Sequence, residues 1–204
     1  LLRSDAEADW SGANAMVRSM VTLRPTNELY RSHRQELTDP WVGIGCERHR
    51  AKIVEFADQL IDEWIDAGEV EFISQFARRL PQKVTAHVLG FAADDIDKLA
   101  AWGSAQVTSF VHGKGHRNIL SKEQEIAQRD DLAGFDDYIR DTIASKRLAP
   151  QDDMISFLTQ VNYQALGRKL DDNEICGVVY AMVLGGLETT QYALEEQAQL
   201  LCET

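Results

Sequence analysis

The sequence predicts a mainly α-helical protein, and three observations point to this class. The chain has only four prolines, and the long stretches between them carry apolar residues at helical spacing. Residues 47–67 show this most clearly, with apolar side chains at spacings of three and four: Ile53, Phe56, Leu60 and Trp64. This stripe predicts an amphipathic helix with an apolar face in the core. Strand signals are nearly absent, and we expect only a short extended segment within residues 163–170.

Glycine and proline residues mark the expected ends of the other helices. Gly68 is expected to end the helix of residues 47–67 in a left-handed cap. Pro81 should kink a helix or begin a new one, because proline lacks the N–H group that a helix interior uses. Residues 39–45 and 112–116 are glycine-containing and are expected to be a turn and a flexible loop, respectively. Further helices are expected over residues 28–38, 70–89, 92–111, 121–146, 151–160 and 170–203, the last being the longest; residues 1–27 are ambiguous.

Composition excludes several classes of protein. The net charge of −12 disfavours nonspecific binding to nucleic acid, which needs a basic surface. The three cysteines are far apart, so they form neither a disulfide framework nor a zinc pattern, and a cytoplasmic location is expected. No apolar run reaches the roughly 18 residues of a membrane span. Both ends read as interior sequence, so we expect residues 1–204 to be one domain truncated at both ends.

The stretch VLGGLETTQ, residues 183–191, is anomalous inside the last predicted helix. Each glycine there costs roughly 1 kcal/mol relative to alanine, and threonine is a mediocre helix former. Two readings are open at this point. The glycines and threonines are ordinary helix-packing residues, or Gly185 and Gly186 clear space for a ligand. In the second reading, the Thr189 hydroxyl bonds back to the Gly185 carbonyl and bends the helix.

Four segments, in order along the chain, resemble the cytochrome P450 superfamily in its bacterial, soluble type. LDDNEICGVVYAMVLGGLETT resembles the I helix, whose hallmark is a small residue, Gly, any residue, an acid and Thr. DDMISFLTQ resembles the start of the preceding helix, and GEVEFISQFARRLPQKVTAHVLGF resembles a bacterial segment with the pattern F-A-x-x-L-P. LYRSHRQELTDPWV resembles the C-helix pattern H-T-x-x-R-x-L-x-N-P-x-F, with Tyr30 at the His position and Arg34 at the Arg position.

The resemblance implies a partial cytochrome P450 fold, from about the B′/C-helix region through the I helix, without the C-terminal haem-thiolate portion. The E-x-x-R motif and the Cys loop of the family do not occur in this chain, and we expect them beyond residue 204. VGIGCERHR, residues 42–50, has a glycine spacing similar to that of the Cys loop. However, the position of the haem-ligating Cys falls on His49, three residues after Cys46, so we interpret the segment as a glycine-rich turn. Cys176 and Cys202 are interpreted as plain thiols.

The resemblance also assigns roles to site residues. Glu188 and Thr189 would be the catalytic proton-delivery pair, a carboxylate behind a positioned alcohol. Gly185, Gly186, Tyr30 and Arg34 would contact haem b, the last two at a propionate. Ala181 and Leu184 would line the substrate pocket, and Phe110 and Val111 would belong to a lid. The five histidines, 33, 49, 87, 112 and 116, show no metal-ligand spacing and are expected to be structural or surface residues.

Two functions from different classes follow from these assignments. The first is a monooxygenase that inserts one oxygen atom from O2 into an apolar small molecule. It would take electrons from NAD(P)H through a ferredoxin or flavoprotein reductase. The second is a non-catalytic α-helical scaffold, or a degenerate P450 that does not bind haem. The alternative for Arg34 is a surface ion pair within a charged helix. The alternative for Tyr30 is a side chain with no contact to haem.

Overall fold

The computed structural model describes residues 26–113 and 119–203, without the side chain of Phe110. The expectations for residues 1–25 and 114–118 therefore lie outside the described residues. The eight α-helices of the described part are α1 (Asn27–His33), α2 (Arg50–Asp62), α3 (Arg79–Leu89), α4 (Ile96–Thr108), α5 (Lys122–Leu148), α6 (Met154–Gln160), α7 (Asp172–Gly186) and α8 (Glu188–Cys202). A two-residue antiparallel hairpin pairs β1 (Asn162–Tyr163) with β2 (Arg168–Lys169). The mainly α class is confirmed.

Helix α7 is the central helix of the described fold. Helices α3, α4, α5 and α6 all pack against it. Its side chains Ile175, Val179, Tyr180 and Val183 are fully buried, and Tyr180 lies against Phe135 of α5 with ring centroids 4.9 Å apart. An Asp171–Glu174 capping box starts the helix. Burial all round explains why the α7 sequence lacks a clear polar face.

The predicted final helix is not continuous. Leu187, with φ −89° and ψ −77°, separates α7 from α8, so the expectation that residues 170–203 form the longest helix is wrong. The longest described helix is α5, which has 27 residues. The break falls where two glycines and a back-bonding threonine weaken the helix.

The helix predicted over 47–67 is shorter than expected. It spans only α2, which follows a 3₁₀ segment at Gly43–His49 rather than a simple turn. Gly68 adopts φ 72° and ends the region as expected. Of the predicted core stripe only Leu60 is fully buried, and the other three members are half-buried. Ile53 of that stripe lines an apolar cavity instead of a closed core.

Pro81 falls in the first turn of α3 and therefore begins a new helix, as predicted. The segment before it, Ile73–Ala77, is a π-helical turn, so residues 70–89 are not one helix. A second π turn, Arg34–Thr38, continues α1, and the Asp39 amide donates to the Arg34 carbonyl at 2.7 Å. Arg34 and Pro40 are six positions apart, whereas the Arg and Pro of the C-helix pattern above are five apart. The π turn accommodates this additional residue, because its hydrogen bonds span one residue more than those of an α-helix.

Candidate functional site

The candidate site centres on the break between α7 and α8. The hydroxyl of Thr189 donates a hydrogen bond to the carbonyl oxygen of Gly185 at 2.5 Å, so this predicted contact is confirmed. That carbonyl would otherwise accept from a backbone N–H one turn later in an α-helix. The side chain therefore competes with the helix ladder at the position where the helix is interrupted.

The two glycines face different surroundings. A Cβ placed on Gly185 would meet no atom within 4 Å, so this face of the helix is open. A Cβ on Gly186 would lie 3.1 Å from the Thr85 hydroxyl oxygen of α3. The helix-packing interpretation therefore applies to Gly186. Gly185 is the glycine that offers room for a flat group to approach the helix.

The two threonines also lie in different surroundings. Thr189 lies with Gly185 on the open face, and its residue is exposed. Thr190 lines an apolar cavity of about 350 Å³ between α2, α3, α7 and α8. Gly186 lines the same cavity, together with Ile53, Val84, Val88 and Met182. Of the two adjacent hydroxyls, only that of Thr189 is therefore placed to act on the Gly185 side.

Glu188 faces a third environment. It is half-buried and lines a polar cavity of about 250 Å³ with Arg78, Gln82, Ser104 and Gln191. These side chains come from the start of α3, from α4 and from α8. Sequence reasoning missed Arg78, Gln82 and Ser104, because no spacing links them to a glutamate about 80 to 110 positions later. The carboxylate thus lies next to the Thr189 hydroxyl in sequence and beside a polar space.

The glycine pair supports a stability prediction. We expect Gly185→Ala to leave the free energy of unfolding unchanged or to raise it by up to about 1 kcal/mol, because alanine is the better helix former and its Cβ meets open space. We expect Gly186→Ala to give no such gain, because Thr85 must move by a few tenths of an ångström. Urea denaturation of both variants tests this, and a greater stability of Gly186→Ala than of Gly185→Ala would contradict it.

Tyr30 and Arg34 lie on a different part of the fold. Tyr30 belongs to α1 and is 47% exposed. Arg34 begins the π turn, and its guanidinium lies 2.9 Å from a carboxylate oxygen of Asp39. Its side chain is 43% exposed. The guanidinium is therefore accessible to an anionic group, but it already has an acidic neighbour. The ion-pair interpretation of Arg34 describes its present contact, and its haem role stays a prediction.

The predicted substrate and lid residues are placed as follows. Ala181 and Leu184 are half-buried and pack against the core around α7, within one turn of the open Gly185. Val111 is 55% exposed in the π turn Ser109–Gly113 that follows α4. The structure leaves the roles of all three as predictions, and the Phe110 side chain lies outside the described part.

The histidines and cysteines within residues 26–113 and 119–203 form no group that could hold a metal ion. Cys176 is buried, and burial raises its pKa to about 12, which keeps it a protonated thiol. Cys46 and Cys202 are exposed free thiols. His49 is buried and lies between the Trp41 ring at 5.9 Å and the His87 ring at 5.4 Å. The expectation that His49 is a structural residue stays a prediction.

This histidine pair predicts a loss of stability in mild acid. Burial lowers the pKa of both His49 and His87 below 6.5, and the charges of Arg48 and Lys52 act in the same direction, opposed by Asp152 and Glu55. The unfolded chain therefore binds more protons than the folded chain just below pH 6.5, so stability falls as the pH drops from about 7 towards 5. Urea denaturation across this range tests it. A double variant with phenylalanine at both positions should show a flatter profile, and an equally steep profile would contradict the prediction.

The described helices include none that is both long and apolar enough to cross a membrane. No protein-family model matches the chain. Among curated proteins, the chain is 32% identical over 158 residues to a steroid C26-monooxygenase of Mycobacterium tuberculosis, covering 75% of this chain and 40% of that protein. It is 31% identical over 144 residues to the polyketide biosynthesis cytochrome P450 PksS of Bacillus subtilis, covering 71% of this chain and 32% of PksS.

Solved structures agree with these relatives. The crystal structure of P450BioI in complex with an acyl carrier protein ligated to hexadec-9Z-enoic acid matches 98% of this chain and 51% of P450BioI, with a TM-score of 0.73 and 20% identity. The PksS structure matches 88% of this chain with a TM-score of 0.67. The chain thus spans about a third to two fifths of the length of the curated relatives named above. The sequence matches and the shared fold together show that this chain belongs to the cytochrome P450 superfamily, as its bacterial relatives do.

Proposed function

We propose that this chain is the distal part of a longer haem-thiolate monooxygenase, which inserts one oxygen atom from O2 into an apolar small molecule. The observation that carries the proposal is the hydrogen bond from the Thr189 hydroxyl to the Gly185 carbonyl at the break between α7 and α8. It is supported by relatives that are monooxygenases and by the share of their length that the chain spans. We further propose residues 1–204 as a single partial domain in a cytoplasmic protein.

Haem b, when bound, would supply the oxidative chemistry that activates O2. The residues fit haem in one respect, since the helix face at Gly185 is open and has room for a flat group. Gly185 would face the macrocycle, whereas Gly186, the other glycine predicted to contact haem, packs against Thr85. Tyr30 and Arg34 would donate to propionates, with Arg34 exchanging or sharing its Asp39 contact.

The chain's own residues would move protons. The Thr189 hydroxyl donates its single hydrogen to the Gly185 carbonyl, so on the open side its oxygen would accept a hydrogen bond and hold a proton-carrying donor in place. The carboxylate of Glu188 would return protons from the polar cavity to that site. Ala181 and Leu184 would exclude water and hold the apolar substrate one turn before the break. Electrons would come from NAD(P)H through a ferredoxin or flavoprotein reductase.

The test starts with the gene. We expect the reading frame beyond residue 204 to encode an E-x-x-R motif and then the Cys loop. The protein made from that frame should bind haem and, when reduced under CO, absorb at the position typical of thiolate ligation. A frame without the Cys loop, or a full-length protein that takes up no haem, would instead support the scaffold or degenerate P450. The 204-residue chain should fail this test under either hypothesis and is unsuitable for it.

A further inference from the structure

Gln82 separates two polar cavities. The first is the cavity of about 250 Å³ that contains Glu188. The second measures about 260 Å³ and lies between the start of α3 and the start of α4, where Asp94, Asp97 and Lys83 line it. Gln82 lines both cavities and is only 8% exposed. Its side chain is therefore nearly buried and borders both polar spaces.

Both cavities have the properties of hydrated spaces. Each is several times larger than the roughly 30 Å³ that one water molecule occupies in the liquid, and each is lined by charged and amide groups that can bind water. An apolar cavity stays dry, whereas a roomy polar one holds ordered water. A glutamine side chain at the shared wall can donate through Nε2 to water on one side and accept through Oε1 on the other.

We propose that Gln82 is a positioning residue that orders a water path from the Glu188 cavity to the second cavity, whose charged lining is Asp94, Asp97, Arg79 and Lys83. This inference rests on the proposed role of Glu188 as the group that returns protons to Thr189. A proton that Glu188 gives up is replaced from a neighbouring water, which in turn takes one from the next water towards bulk solvent. Gln82 keeps these waters in hydrogen-bonded order and is not itself protonated.

The alternative is a purely structural role, in which Gln82 only fills the α3–α4 interface. Gln106 provides a matched comparison, because it is a second buried glutamine, 2% exposed, and it lines neither cavity. Its Nε2 donates to the Tyr180 carbonyl at 2.8 Å. Contact between the Gln82 amide and water is a condition that the proposed path must meet, and the Gln106 amide gives the reference signal of a shielded glutamine.

The first experiment needs no haem. Rotating-frame NMR transfer from water to side-chain amide hydrogens is measured on the 204-residue chain. We expect strong transfer to the Gln82 amide and weak transfer to that of Gln106. A Gln82 signal no stronger than the Gln106 signal overturns the proposal.

The second experiment uses the haem-loaded full-length protein. Gln82→Met keeps the volume and removes the amide, and we expect kcat to fall by roughly three- to tenfold with KM unchanged. This is a small share of the roughly 10²- to 10⁴-fold that a positioned proton donor contributes. Gln82→Glu should restore most of the rate, and thermal melting checks that each variant folds. If Glu188→Gln lowers the rate but Gln82→Met does not, this inference fails; if Glu188→Gln has no effect, the proposed role of Glu188 fails.

Discussion

Replacing Thr189 by valine is expected to lower product formation by roughly 100-fold in the haem-loaded full-length protein, the low end of what a positioned proton donor contributes. Valine has nearly the shape of threonine but no hydroxyl, so the hydrogen bond to the Gly185 carbonyl disappears while the packing stays. Electrons from NAD(P)H should then reach hydrogen peroxide rather than product. Product and peroxide formed per NAD(P)H are the quantities to measure.

Thr190→Val is the matched control. Thr190 lines the apolar cavity on the opposite side of the break, next to Gly186, so the loss of its hydroxyl should leave the product yield unchanged. The chain thus offers two adjacent threonines whose replacement makes the same chemical change in two environments. Equal losses in both variants would show that the effect comes from the helix break as a whole. A loss confined to Thr190→Val would contradict the assignment of Thr189.

Asp153→Ala is expected to lower the free energy of unfolding by about 3–5 kcal/mol. One oxygen of Asp153 caps α6 by accepting from the Ser156 amide at 2.7 Å. The other accepts from the Lys146 ammonium at 2.6 Å, and the two side chains are only 4% and 8% exposed. Truncation removes the cap and leaves a buried ammonium with only the Gln151 side chain as a described partner.

Urea denaturation of four variants separates these contributions: Asp153→Ala, Asp153→Asn, Lys146→Met and the double variant of the last two. Asp153→Asn keeps one acceptor oxygen, which can still cap α6 but leaves an NH2 donor beside Lys146, so we expect it to restore the cap alone and to cost less than Asp153→Ala. The double variant Lys146→Met with Asp153→Asn removes both charges, and its cost should be well below the sum of the single changes. Additive costs would show that the buried pair is not coupled.

Much of the fold could be predicted from the sequence, because the relevant signals are local. Helical periodicity, the cap at Gly68 and the new helix at Pro81 each depend on a few neighbouring residues. The hydrogen bond from Thr189 to Gly185 spans four positions and was likewise predictable. The prediction of one continuous helix over residues 170–203 was wrong. It relied on the hydrophobic pattern, which does not include the helix-weakening effect of two glycines and a back-bonding threonine.

The superfamily could be identified from the sequence, because four segments that resemble it occur along the chain in the family's order. The sequence by itself thus determined the helical class, the family and which hydroxyl bonds to which carbonyl. Only the tertiary structure decided that Gly185 is open while Gly186 packs on Thr85, and that Gln82 stands between Glu188 and a second polar cavity. The physical reason is that these surroundings come from helices distant in sequence, and helix-to-helix approach leaves no local periodic signal.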